Sequence, residues 1–202
     1  MKKIVIGTHT NGKFKEIAYL LSKKIKKISP LLLKIKSQKE TGKSFNANSK
    51  LKVKFFSKYV NYPVISDDSG LCIEALNNKP GIYSARLAKK HGSFYKAMKF
   101  ILKKMDKLKN RKATFICSLS FIGNDRKIIT VEGKVRGNIS TKILGKKGFG
   151  YDPIFIPINK KFTFGQMPKL KKIKIDHRFV AFKKLKKKLK FYKFFVFCFI
   201  NF

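Results

Sequence analysis

The sequence predicts an α/β fold built on a mixed sheet with flanking helices, and three observations lead there. Short apolar runs of strand length alternate with amphipathic stretches at helical spacing along the chain. The 202 residues are 44% hydrophobic, enough to bury a core despite a formal net charge of +39. No internal repeat and no linker-like stretch interrupts the pattern, so a single domain is expected over residues 1–190.

Taken in order, Lys3 to Gly7 (KIVIG) reads as a short buried strand. It runs through a Gly/Asn turn into a helix on which Phe14, Ile17, Leu21 and Ile25 fall near one face. Leu31 to Lys36 is a second strand candidate, and Phe45 to Tyr59 has helical register through Leu51, Phe55 and Tyr59. Pro63 to Ser66 reads as a strand ending at Asp67 and Asp68, with a separate strand from Leu71 to Leu76. The stripe Phe94, Ala97, Met98, Ile101, Leu102 and Met105 makes Ser93 to Leu108 the most regular helix, and such a stripe is core. Ala113 to Ile122 and Lys127 to Val135 are strands joined by a Gly-Asn-Asp turn at 123–125. A glycine-rich loop, Gly145 to Gly150, precedes a short strand at Ile154 to Ile156. Asp176 can cap a last helix that turns Ala181, Phe182, Leu185 and Leu189 inward.

The charge balance, 49 Lys and Arg against ten Asp and Glu, first suggests a polyanion partner. Only five of the 49 are Arg, the residue whose planar fork reads bases, and Lys is scattered over every segment without a nucleic-acid-binding motif. Phe, Ile and Asn are also frequent and Trp is absent, the bias that AT-rich codons produce. No specific nucleic acid is expected; a basic nucleic-acid-binding protein is the second reading. Cys72, Cys117 and Cys198 form no C-x-x-C, which argues against a zinc site or a disulfide framework. The start lacks the long apolar run of a secretory signal, so a cytoplasmic protein is expected. The aromatic tail at 191–202, twelve residues, is too short to span a bilayer. The Lys-rich run at 183–190 could lay it on an anionic surface, or the tail simply docks or frays.

Four stretches carry chemistry. GTHTNGKF, Gly7 to Phe14, follows a strand and opens a helix; Phe14 stands where a P-loop needs a metal-binding hydroxyl. Its backbone N–H groups and Lys13 still suit a phosphate, although an ordinary strand-to-helix turn looks the same. SDDSGL, Ser66 to Leu71, places two carboxylates where Mg²⁺ could bind, or where a turn is merely capped. GKKGFGYDPIF, Gly145 to Phe155, offers aromatics to stack a base and a carboxylate to bond its edge. His177 and Arg178 are donors at a helix start.

In this order along one chain, MKKIVIGTHTNGKFKEI, ETGKSF, SDDSGLCIEAL, PGIYSAR, GKKGFGYDPIF and KLKKIKIDHR resemble the noncanonical purine nucleoside triphosphate pyrophosphatases. This is the inosine/xanthosine triphosphatase or dITP/XTP diphosphatase family, and the likeness covers residues 2–190. The resemblance implies an elongated structure with two lobes around a central nucleotide cleft, usually a homodimer. It implies Mg²⁺-dependent hydrolysis of ITP, dITP and XTP to the monophosphate and pyrophosphate. Carried over by position, Asp68 is the general base and a metal ligand, Glu40 the second metal carboxylate, with Asp67 nearby. Thr8, His9, Thr10, Asn11, Gly12, Lys13 and Ser69 take the phosphates. Phe149, Gly150, Tyr151 and Asp152 take the base, Lys172, His177 and Arg178 close on it, and Arg86 supports the site. Donors such as Arg178 would prefer the C6 carbonyl of hypoxanthine or xanthine to the amino group of adenine. The surrounding Lys excess is expected to lower the pKa of both aspartates. The chain departs from the family pattern at Thr10, Ala47, Gln166, Ile173, Asp176 and Phe179.

Overall fold

Strand β1 (Lys3–Ile6) is apolar at every position after Lys3 and lies parallel to β2 (Lys26–Ile28) and to β3 (Val64–Ile73). These are the first strands of a seven-stranded mixed sheet in a computed structural model that describes residues 2–191. The sheet order is β2-β1-β3-β5-β6-β7, with β4 (Lys79–Pro80) paired antiparallel to β3. Strands β5 (Lys112–Ile122) and β6 (Ile128–Ile139) are the long neighbours beyond β3, and β7 (Phe155–Pro157) pairs antiparallel with β6. Helices α1 (Asn11–Leu20), α2 (Phe45–Ser57), α3 (Ser84–Lys90), α4 (Phe94–Lys104), α5 (Lys169–Ile173) and α6 (His177–Phe191) complete the α/β architecture. The aromatic tail beyond Phe191, with Cys198, lies outside the described residues. Among those described, no helix is long and apolar enough to cross a membrane.

The chain divides into two compact units. Among the described residues, the first contains 2–68, 117–133 and 178–191. Its core joins Val5 and Val64 of the sheet to Val53 and Phe56 of α2, with Ile28, Ile35 and Ile122 around them. A polar seam runs beside that core: Ser49 Oγ on α2 lies 2.9 Å from Ser118 Oγ and 2.8 Å from Ser120 Oγ on β5. All three serines are fully buried, so these hydroxyls stand in for water. Ala181, Phe182, Leu185 and Leu189 of α6 are buried, as their spacing predicts.

The second unit contains residues 69–116 and 134–177. Its core is richer in aromatics, with Phe115, Phe155 and Phe164 packed among Leu71, Ile73, Ala97, Met98 and Ile101. Helix α4 begins where Ser93 Oγ accepts the N–H of Lys96 at 3.1 Å, and the predicted stripe faces this core.

Several elements differ from expectation. Helix α1 stops at Leu20; Leu21 and Ile25 are buried outside it, Leu21 with extended backbone. Leu31 to Lys36 is a turn, not a strand: Ile35 N–H donates to Pro30 O, and Lys34 has φ 53°. The strand lies just upstream in Lys26–Ile28, an edge strand with one buried apolar residue and no alternation to betray it. Helix α4 ends at Lys104, before Leu108. The predicted strands at Pro63 to Ser66 and Leu71 to Leu76 are one, since β3 passes unbroken through the Asp pair.

Candidate active site

The continuity of β3 decides what the two aspartates do. Successive side chains of a strand point to opposite faces, so Asp67 and Asp68 do not confront each other. Both are nearly inaccessible to solvent, and each has its own cations. Asp67 Oδ2 lies 3.2 Å from Lys13 Nζ and 3.5 Å from Arg178 Nε. Asp68 Oδ1 lies 3.6 Å from Lys52 Nζ, and its Oδ2 accepts a 3.0 Å hydrogen bond from Asn48 Nδ2. The carboxylates therefore occupy the middle of a strand, not the strand end that the sequence suggests. Their burial requires this tertiary charge compensation.

Around them the first unit assembles a cluster from four segments. Lys13 belongs to α1, whose first turn carries no acidic residue and whose N-cap, Thr10, makes no side-chain cap bond. The loop before it is tightened by Thr10 N–H donating to Thr8 Oγ1 at 3.2 Å, and His9 Nε2 lies 2.9 Å from Ile35 O. Helix α2 supplies Asn48 and Lys52; Asn48 Oδ1 accepts from Gly42 N at 2.8 Å and so ties the Glu-Thr-Gly loop to Asp68. In that loop Glu40 Oε1 accepts from Lys52 Nζ at 2.7 Å. Helix α6 brings Arg178, whose Nη1 donates to Glu16 Oε2 at 2.8 Å.

Electrostatics separate the two aspartates. Burial pushes the Asp67 carboxyl up, but Lys13, Arg178 and Lys52 overcome it and hold the group at about 2. Burial also pushes Asp68 up and there it prevails over Lys52 and Lys13, so its pKa is raised. The expectation that the Lys excess lowers both is therefore corrected for Asp68, because attraction from its cations does not offset the lost hydration. Glu40 is lowered: burial opposes this, but Lys52 outweighs it. Lys52 is raised, since Asp68, Asp67 and Glu40 together overcome its desolvation.

Glu40 and Asp68 converge on one ammonium, at 2.7 and 3.6 Å. Two carboxylates that share a cation are a donor set suited to Mg²⁺, which takes one or two carboxylates and completes its octahedron with water and phosphate oxygens. Among the described residues no three His, Cys, Asp or Glu side chains form a metal-ion group. The protein's share of such a site is this carboxylate pair.

The second unit holds a different cluster. Lys172 Nζ donates to Asp152 Oδ2 at 2.7 Å, with both side chains almost fully buried. The same oxygen accepts from Phe149 N at 2.8 Å. The ammonium lies 5.0 Å from the Phe149 ring centroid and 5.6 Å from that of Phe164. Gly148 has φ 75° and passes so close that a Cβ would strike Asp152 Oδ2. His177 stacks on Phe115 at 4.7 Å with an interplanar angle of 7°. Tyr151 is buried, which raises its pKa, and its hydroxyl donates to Ser84 O at 2.9 Å. Ser84 Oγ in turn accepts from Leu71 N at 3.0 Å and donates to Gly81 O at 2.7 Å. Ser84 thus ties the Pro-Gly-Ile-Tyr-Ser-Ala-Arg motif to β3 and to the base loop. Gly70 must lack a side chain there, because a Cβ would meet Gly81 O and Ser84 Oγ.

The expected residues thus fall into two groups. Thr8 to Lys13, Glu40, Asp67, Asp68 and Arg178 belong to the first unit; Ser69, Phe149, Gly150, Tyr151, Asp152, Lys172 and His177 belong to the second. Arg178, assigned with the base residues by resemblance, has its ion-pair partners in the acidic cluster, Glu16 and Asp67. Arg86 is exposed and lies 4.5 Å over the Tyr83 ring; Ser84 makes the ties to β3 and Tyr151. Sequence reasoning missed Glu16, Asn48, Lys52 and Ser84 as members of the site. In a chain with 44 Lys, nothing distinguishes Lys52.

A mixed α/β sheet that presents paired carboxylates beside an uncapped helix N-terminus, with an aromatic-lined Lys–Asp pair in the second unit, defines a phosphate-ester or anhydride hydrolase of the nucleotide-handling kind. The Ham1 family profile matches residues 4–188, and the chain belongs to the Ham1 family. It is 44% identical over 191 residues to a dITP/XTP pyrophosphatase of Dictyoglomus thermophilum, covering 91% of this chain and 92% of that one. It is 36% identical over 187 residues to a protein of the same name from Zymomonas mobilis, covering 91% and 90%. Among solved structures, the Staphylococcus aureus Ham1 protein superposes with a TM-score of 0.83 at 35% identity, covering 95% of this chain and all of that one.

Proposed function

We propose that this protein hydrolyses the triphosphates of deaminated purines, ITP, dITP and XTP, to the monophosphate and pyrophosphate. The observation that carries the reading is the convergence of Glu40 and Asp68 on one cation beside a helix N-terminus lined by Lys13. The names of the relatives, dITP/XTP pyrophosphatases, support the substrate class. Both units would form one pyrophosphatase domain over residues 1–190, working as a homodimer on the cytoplasmic nucleotide pool.

The acidic cluster handles the triphosphate. The Thr8 to Lys13 segment presents the first-turn N–H groups of α1 and the Lys13 ammonium to the phosphates, with Ser69 adding a hydroxyl. Glu40 and Asp68 would hold Mg²⁺. The ion, when bound, would neutralise phosphate charge and act as a Lewis acid. Asp68 orients the attacking water and takes its proton. Asp67, locked by Lys13 and Arg178 with a pKa of about 2, stays ionised and positions those cations.

The base cluster selects the purine. Phe149 and Tyr151 supply aromatic surface, and Gly150 leaves room beside them. Asp152 and Lys172 offer an acceptor and a donor of fixed orientation, and His177 adds a ring held by Phe115. Facing adenine, a donor placed for the C6 carbonyl stays unpaired, which costs about 1–3 kcal/mol per contact. The decisive assay incubates the protein and Mg²⁺ with ITP, dITP, XTP, ATP and GTP and scores pyrophosphate against orthophosphate. Pyrophosphate from ITP, dITP and XTP, with ATP and GTP spared, is expected. Orthophosphate from ATP, or no turnover of any of them, would overturn the reading.

A further inference from the structure

The ammonium of Lys52 occupies the place where the two candidate metal carboxylates meet. It donates to Glu40 Oε1 at 2.7 Å and sits 3.6 Å from Asp68 Oδ1, and its side chain is 9% exposed. The carboxylates do not depend on Lys52 for their placement. Asp68 is carried by β3 and held by Asn48 Nδ2 at 3.0 Å, while Asn48 Oδ1 fixes the Glu40 loop through Gly42 N at 2.8 Å. Removing the ammonium would leave a formed acidic pair without its cation.

We propose that Lys52 is an internal stand-in for the divalent cation, neutralising Glu40 and Asp68 in the metal-free protein and yielding them when the metal binds. This rests on the assignment of Glu40 and Asp68 as metal carboxylates made above. Lys52 is shared between two carboxylates, and they are the pair assigned to the metal. A divalent ion brings a second positive charge to the same two carboxylates. Once displaced, the buried ammonium needs a new anion, and the triphosphate that arrives with the metal provides one. Metal and nucleotide binding are thereby coupled, because either alone leaves a charge uncompensated.

The test measures Mn²⁺ binding to the full chain without nucleotide, by titration calorimetry and by electron paramagnetic resonance of free Mn²⁺. Lys52→Met and Lys52→Gln are compared with the wild type, each checked for folding by its melting curve. At least tenfold tighter Mn²⁺ binding is expected in both variants, as loss of a like charge a few ångströms away implies. Saturating Mn²⁺ should also raise their melting temperature more than that of the wild type. Adding Glu40→Gln to either variant should abolish the gain. Unchanged or weaker Mn²⁺ binding in the folded variants overturns the proposal, as does a gain that survives Glu40→Gln. Failure of the underlying assignment looks different: the wild type would then bind no Mn²⁺ even with XTP present and would release no pyrophosphate.

Discussion

In the first unit four carboxylates, Glu16, Glu40, Asp67 and Asp68, are held by three cations, Lys13, Lys52 and Arg178. In the second unit one carboxylate, Asp152, meets one cation, Lys172, between aromatic rings. In the first arrangement Lys52 and Arg178 are each shared between two carboxylates, and its members titrate apart, Asp67 low and Asp68 high. The second is balanced and oriented by hydrogen bonds to fixed backbone. The difference teaches where chemistry and where recognition belong. A cluster of several carboxylates around shared cations has something to gain from a metal and a proton, while a hydrogen-bonded Lys–Asp pair can discriminate ligands without changing state. Five of the chain's ten acidic residues are spent on these two clusters.

The contrast breaks most sharply at Asp68. Asp68→Asn should lower kcat by roughly 10³-fold or more, within the range assigned to general-base loss compounded by a lost metal ligand. Its melting temperature should move by only a few degrees, since the change removes a buried charge whose pKa is already unfavourable. A variant that kept most of the wild-type turnover would take the chemistry away from this strand. In the metal-free wild type, the Asp68 carboxyl should titrate above the ordinary Asp value of 3.8, because burial disfavours its charged form; an NMR pH series checks this.

The balanced pair should respond differently. Asp152→Asn leaves Lys172 buried without its counter-ion, and about 3 kcal/mol of stability should be lost in a urea titration. Nucleotide affinity should suffer more than the chemical step, with KM for ITP rising more than kcat falls. Equal effects on both would mean that the second cluster is part of the chemistry.

Acid unfolding separates the clusters again. The folded pKa of Asp67 is about 2 against an ordinary 3.8, so its contribution is present above the unfolded value and is lost as pH falls from near 4 toward 2. That contribution is roughly 2 kcal/mol. Asp67→Asn should flatten stability over this window in a pH series of denaturant titrations. An unchanged slope would show that its cations do not hold it.

The smallest effect is expected at Tyr151. Tyr151→Phe removes the hydroxyl that donates to Ser84 O, costing about 1 kcal/mol. KM for ITP should rise a few-fold at constant kcat, which steady-state kinetics would resolve. A large fall in kcat would mean that Ser84 relays order from the base loop into β3.

Much of this was readable from the chain. The first strand and helix, the Ser93 cap of α4, the inward face of α6 and the order of the motifs are local patterns of periodicity and turn chemistry. What failed was local evidence that pointed the wrong way. Lys26–Ile28 is too polar to look like a strand, and Ser-Asp-Asp-Ser-Gly looks like a turn but is mid-strand. The Lys excess hid the informative lysine among 44.

By itself the sequence determined the α/β class and the residues able to bear charge; the unbroken strand that sets Asp67 and Asp68 on opposite faces appeared only in the structure. Only the tertiary structure decided which cation each carboxylate received. Those partners come from far along the chain: Lys52 is 12 residues from Glu40, and Arg178 is 162 residues from Glu16. Charge interactions depend on distance and desolvation in space, neither of which is written in the order of residues. That is why two adjacent, chemically identical aspartates titrate in opposite directions.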